Sequence, residues 1–230
     1  MLGALKRRRA RKKFEADTIT HRADLADWED ADEAIDRMLE VVRDCVAGRV
    51  HEQFTDRSDH GFMLENDEFP VASISGSALL QVVRAPGQYR GGYGGVSFPI
   101  FGRVRGHVGG NRGTFVPGKE SMTMTDEGTT MITNKRVMFR GSVRTDEWKF
   151  SRMMAMEHAD IGMTTIFMSS GGKPEAIGYG NDVGAEVQFR FEIAAALARG
   201  TLERFLHELE AEKAHHQQVK PVPPPAAPAG

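Results

Sequence analysis

The chain has 230 residues, 40% of them apolar and 27% charged, and a net charge of −2; these values belong to an ordinary globular protein and exclude a uniformly basic, nucleic-acid-coating chain. No apolar run approaches the roughly 18–20 residues of a membrane-spanning helix. The single cysteine, Cys45, permits no internal disulfide, which fits a reducing cytoplasm.

The charge is segregated along the chain. Residues 1–13 hold seven Lys/Arg and no acid, 14–68 hold 17 acids against five Arg, and 69–125 hold six Lys/Arg against one acid. Such blocks point to separate structural units. Residues 1–13 read as a disordered basic arm; they have the charge of a signal-peptide start without the apolar run that should follow, which argues against secretion. Residues 14–57 read as an acidic helical segment. Within it, Ile35, Met38, Leu39, Val42, Cys45 and Val46 form one stripe on a 3.6-residue period, which predicts a helix over 30–47. Asp30 with Glu33 is a candidate cap for its first turn, and Gly48 suits the position just past its end. Residues 23–29 carry a weaker helical signal. The stretch 58–75 reads as a linker.

Beyond it the period changes from helical to alternating. Short runs at 79–83, 95–100, 104–108, 121–125, 129–133, 136–140 and 147–150 are separated by Gly-rich breaks. Ser121-Met122-Thr123-Met124-Thr125 alternates as a half-buried strand does. Asn134-Lys135 predicts a hairpin turn, since Asn tolerates positive φ. A second hairpin is expected where 163–169 and 175–179 flank Gly171-Gly172-Lys173-Pro174. Short antiparallel strands at this spacing predict a barrel or sandwich. Residues 182–199 turn helical, with Val187 or Phe189, Ile193 and Leu197 in steps of four. Gly200 interrupts, and Leu202, Phe205, Leu206 and Leu209 continue on a second helix. The expected domain is a barrel with its C-terminal helices over 76–214, and 215–230 is expected to be a disordered Pro/Ala-rich tail.

Met131-Ile132-Thr133-Asn134-Lys135-Arg136-Val137-Met138-Phe139 resembles the apolar-x-T-N-x-R-apolar-x-F hairpin of GRAM and bacterial PH-like domains. Glu147-Trp148-Lys149-Phe150, Gly178-Tyr179-Gly180 and the glycine-rich stretch 106–118 are similar to a group of uncharacterised actinobacterial proteins with this layout. The resemblance covers residues 81–210. It implies an α+β protein: a PH-like antiparallel β-barrel or sandwich capped by a C-terminal helix, here preceded by an acidic helical segment. It suggests binding of lipid or protein and implies no catalytic residues.

Candidate chemistry is sparse. Gly113 to Lys119 matches the first seven positions of a phosphate-binding loop, but Glu120 stands where Ser or Thr should hold magnesium, and the alternating run after it is not a helix. Gly91-Gly92-Tyr93-Gly94-Gly95 lacks dinucleotide-binding spacing. Ser170-Gly-Gly-Lys173 falls in an expected turn and lacks companion motifs. The acids Asp24, Asp27, Glu29, Asp30, Asp32 and Glu33 lack a calcium-loop pattern, so no metal is expected; His51-Glu52 has no second histidine four residues on. Cys45 lies on the apolar stripe. Glu157-His158 and His107 stand alone in the sequence.

The ligand-binding candidates are Arg84, Arg90, Arg103, Arg105 and Arg112, interleaved with Tyr89 and Tyr93 and with no carboxylate nearby. Arginine with aromatic residues on a Gly-rich frame suits a phosphate headgroup or a stacked base. The expectation is a non-enzymatic, cofactor-free binding or adaptor module for a protein partner or an anionic membrane surface, cytoplasmic or peripheral at the inner face of the membrane. Single-stranded nucleic-acid binding through 84–112 is the alternative.

Overall fold

A computed structural model describes residues 2–55, 61–84, 120–159 and 162–225, with the backbone alone at 2–7, 10 and 84. The chain divides into two compact units, Met1–Gln53 with Thr201–Gly230, and Phe54–Gly200. The last helix thus groups with the first, whereas the sequence placed it with the strands.

The first unit is built on α1 (Leu2–Val46), α2 (Val50–Gln53) and α4 (Leu202–Gln218). Helix α1 is one element of 45 residues, so the basic stretch expected as a disordered arm is its first turns. Asp30 lies inside the helix and caps nothing. The exit matches the sequence: Gly48 has φ 84°, its N–H donates to Cys45 O at 3.1 Å, and Arg49 N–H donates to Asp44 O at 2.9 Å. These two bonds define a Schellman stop, for which a glycine tolerates the left-handed conformation best. Helix α4 runs antiparallel to α1. Trp28 Nε1 donates to His216 O at 3.0 Å with the two rings stacked, Lys213 pairs with Asp32 at 2.6 Å and Asp36 at 2.9 Å, and Arg43 pairs with Glu210 at 2.9 Å. Burial pushes the pKa of the Lys213 amine down, and the hydrogen bonds it donates to Asp32 and Asp36 outweigh this and raise it.

The second unit is a curled, seven-stranded antiparallel half-barrel with a helix. Its strands are β1 (Pro70–Arg84), β2 (Glu120–Thr133), β3 (Arg136–Gly141), β4 (Thr145–Lys149), β5 (Met153–Ala159), β6 (Met163–Met168) and β7 (Glu175–Gly178), and α3 (Gly184–Arg199) follows. Spatial order is β4-β3-β2-β1-β7-β6-β5. The long first strand pairs with β2 over nearly its whole length and with β7 near its end. It bends at Gly76, φ 70°, where the register slips between Ser75 and Ser77; nothing lies near a Cβ there, so the backbone angle alone selects glycine. The runs 121–125 and 129–133 form one strand rather than two. Strand β1 begins at Pro70, inside the expected linker, and β5 was not expected at all. The runs 95–100 and 104–108 lie outside the described residues. The ends β4 and β5 do not pair; the 3-10 turn Phe150–Arg152 joins them, so the sheet is an open half-barrel and not the closed shell that the sequence suggested.

Large side chains fill the concave face, as the alternation predicts. Val137, Phe139, Trp148, Phe150, Leu79, Ile132, Ile166 and Ile177 are buried. Helix α3 closes this side against β1, β2 and the 3-10 turn; Phe191 and Ile193 are fully buried, and Gly200 ends it at φ 65°. On the other face of β2 and β3, residues 61–69 form a strap, with Phe62 and Leu64 packed on Met131 and Met138 and Arg140 over the Phe62 ring. Among the described residues no helix is long and apolar enough to cross a membrane.

Candidate functional site at the mouth of the half-barrel

One polar chain crosses the concave face. Trp148 Nε1 on β4 donates to Glu175 Oε2 on β7 at 2.9 Å. The other Glu175 oxygen accepts from the Gln81 amide on β1, and Gln81 Oε1 accepts from Arg144 at 2.8 Å. Arg144 also pairs with Asp146 at 2.6 Å. Strands β4 and β7 are four places apart in the sheet. In a flat sheet they would stand about 19 Å apart, so the bond requires strong curling.

The same end of the unit gathers three connections. Arg84 is opposite Glu120 in the β1–β2 ladder, so residues 85–119 join these two strands there. The β3–β4 turn supplies Arg144, and the β6–β7 turn supplies Lys173, which pairs with Glu120 at 3.0 Å and reaches Val82 O at 3.5 Å. The β3–β4 turn is fixed by Asp126. Its carboxylate accepts from the N–H groups of Ser142, Val143 and Arg144 at 2.9–3.2 Å and from the Ser142 hydroxyl at 2.9 Å. Burial pushes this carboxyl up, but the hydrogen bonds, from Val143 and Ser142 foremost, outweigh it and hold the pKa at about 2. A Cβ on Gly141 would meet Asp126 Oδ2 at 2.1 Å, so glycine leaves room for the cap.

Of the ligand-binding candidates, Arg84 ends β1. Arg90, Tyr93, Arg103, Arg105 and Arg112 lie outside the described residues, as do Tyr89, His107 and the glycine-rich stretches around them. Arg144 and Lys173 are rim cations that the sequence did not single out. Each is already paired with a carboxylate, so an incoming anion would compete with Asp146 or Glu120.

The Thr133-Asn134-Lys135-Arg136 hairpin forms as expected, between β2 and β3, but its chemistry is inward and structural. Thr133 Oγ1 accepts from the N–H groups of Lys135 at 3.1 Å and Arg136 at 3.0 Å. Asn134 Oδ1 accepts from Phe69 N–H at 2.9 Å and its amide donates to Asp67 O at 3.0 Å; Asp67, not Asn134, takes the positive φ, 58°. Arg136 forks onto Glu68, with Nε to Oε1 and Nη2 to Oε2 both at 3.0 Å, and reaches Met63 O at 2.8 Å and Glu147 at 2.5 Å. Burial pushes the Glu68 carboxyl up; hydrogen bonds from Arg136, the Glu65 N–H and Thr133 outweigh this and lower it. The motif therefore clamps the strap to the sheet and leaves its arginine engaged.

A second polar chain links α3 to β5 and β6. Glu192 Oε1 lies 2.8 Å from His158 Nε2, His158 Nδ1 lies 2.9 Å from Thr164 Oγ1, and Thr164 lies 2.8 Å from the Tyr179 hydroxyl. Burial raises the phenol of Tyr179. Carboxylate, imidazole and hydroxyl stand in the order of an acyl-transfer triad, but Thr164 is 0% exposed and its hydroxyl also bonds Tyr179. No substrate can reach it, and the chain acts as a clamp. His158 looks isolated in sequence because Thr164 and Glu192 lie 6 and 34 residues away.

Glu120 begins a strand, which fits a barrel connection and not a phosphate-binding loop. Ser170 and Lys173 lie in the β6–β7 turn. Cys45 is buried. Among the described residues no group of His, Cys, Asp and Glu is arranged to hold a metal. No protein-family model matches the chain, and no curated protein matches it in sequence.

Proposed function

We propose that the protein is a non-enzymatic, PH-like binding module of the cytoplasm that docks on anionic lipid surfaces through the mouth of its half-barrel. A four-strand meander followed by a three-strand meander, with β1 shared between them and a helix behind, supports the PH-like reading. The observation that carries the ligand is the Arg84–Glu120 pairing. It inserts at the mouth a 35-residue connection, 85–119, with five Lys/Arg, no carboxylate and Tyr89 and Tyr93. Each Lys/Arg close to an anionic membrane contributes about 1 kcal/mol, so this segment with Lys173 and Arg144 is enough for reversible attachment.

Vesicle sedimentation tests it. Binding should rise with the fraction of anionic lipid and fall steeply as salt rises. Equal binding to neutral and anionic vesicles, or none to either, contradicts it. Single-stranded nucleic acid at the same segment is the second reading, favoured by the alternation of Tyr and Arg; oligonucleotide binding that exceeds vesicle binding at equal salt would replace the first reading with it. A protein docking at this mouth is the third, read by pull-down.

A further inference from the structure

Helix α1 has two faces of different fate. On one, Phe14, Thr18, His21 and Leu25 are half-buried and Trp28 is buried, toward α4 and the tail residues Pro221, Val222 and Pro224 that reach Asp17 to Asp24. The opposite face carries Ala16, Ile19, Ala23 and Ala26 at steps of three, four and three. All four are exposed, and Ile19 is 68% exposed. The same face is charge-polar: Arg8 and Lys12 precede this apolar patch and Asp30 and Glu33 follow it, all four exposed, with Glu33 also 3.7 Å from Arg37 in an exposed pair that a partner's Arg8 would share.

The basic end has a reason to seek carboxylates. Arg8 with Lys12 and Arg9 with Lys13 are like-charge neighbours four residues apart, which disfavours helix. Arg11 pairs with Glu15 at 3.0 Å. Yet the helix runs from Leu2, beyond the stretch that α4 accompanies. The described side chains of this basic end, Arg8, Arg9, Arg11, Lys12 and Lys13, are all cationic and offer no wide apolar stripe of the kind that lies in a membrane interface.

We propose that this face of α1 binds the same face of a second copy of the chain, antiparallel, about a two-fold axis between Ile19 and Ala23. A face that is basic before its apolar patch and acidic after it is complementary to itself in that orientation. Lys12 then stands opposite the partner's Asp30, and Arg8 opposite the partner's Glu33. Ile19 packs on the partner's Ala23, and small residues let the two backbones approach closely. The dimer uses neither the mouth of the half-barrel nor residues 85–119, so it stands or falls independently of the lipid reading.

Sedimentation equilibrium of the full chain tests it. At low salt the mass should be twice the 25.4 kDa of one chain, and it should fall toward one chain as salt is raised. Ile19→Asp should sediment as a single chain with unchanged helical circular dichroism. Lys12→Glu alone and Asp30→Lys alone should each weaken the dimer, and the two together in one chain should restore it. A wild-type chain that is monomeric at low salt and high concentration overturns the proposal. A dimer that survives Ile19→Asp, or single charge reversals that the double does not rescue, also overturns it.

Discussion

Trp148 on β4 hydrogen-bonds Glu175 on β7 at 2.9 Å across the concave face, although β3, β2 and β1 lie between their strands in the sheet. This bond ties the first meander to the last strand of the second. Trp148→Phe keeps most of the buried ring and removes the donor. It should cost about 1.5–3 kcal/mol, the usual loss for one hydrogen bond to a charged group. Trp148→Ala adds a cavity and should cost about 3–5 kcal/mol. Urea unfolding of both variants measures the difference.

The Arg136–Glu68 fork predicts an asymmetric response. Arg136→Met leaves a buried carboxylate unpaired and should destabilise by about 3–5 kcal/mol. Arg136→Met with Glu68→Met removes both charges and should recover most of that loss. A double variant as unstable as the single one would show that the strap, not the pair, carries the stability. Equilibrium urea denaturation decides.

Asp126 makes the β3–β4 turn acid-sensitive. Its carboxyl sits at about 2 in the fold against an ordinary value of 3.8. A depressed folded-state pKa contributes stability that is present above 3.8 and is lost as pH falls through about 2. The urea midpoint should therefore drop between pH 4 and pH 2. Asp126→Asn should be less stable at pH 5 and flatter across that window, apart from the similar contribution of Glu68, whose carboxyl is also lowered.

Thr164→Val leaves His158 and Tyr179 without their shared partner, and should cost about 1–3 kcal/mol. It should also speed amide exchange in the middle of α3, where the chain through Glu192 joins the helix. Unchanged exchange there would mean that the helix is held by apolar packing of Phe191 alone.

What the sequence revealed was local. The β2–β3 hairpin was legible because Thr133 and Asn134 are turn residues between two apolar runs, and the α3–α4 break because Gly200 interrupts a four-residue apolar step. The Schellman stop at Gly48 was legible for the same reason. What was missed depends on distant partners. Strand β5, Met153–Ala159, is rich in Met, Ala and Glu, which favour helix in isolation; pairing with β6 overrides that preference. The early part of β1, with its Ser, Ala and Gly, resembled a linker because its apolar signal is weak. The basic turns of α1 hid its true length by breaking the apolar stripe. Glu68 and Arg136 are 68 residues apart, and no local pattern joins them. Of the candidate site, the sequence identified the Arg-rich segment but not the rim made by Arg144 and Lys173, which the antiparallel strand order places at the same end of the sheet.

The proposed lipid docking depends on the connection inserted between β1 and β2. Because Arg84 and Glu120 are direct ladder partners, residues 85–119 can be replaced by an Asn-Gly turn that suits a two-residue hairpin. The variant should melt cooperatively, keep its Trp148 fluorescence signature of a buried indole, and lose sedimentation with anionic vesicles. A folded variant that still binds anionic vesicles as the full chain does would contradict docking through this segment.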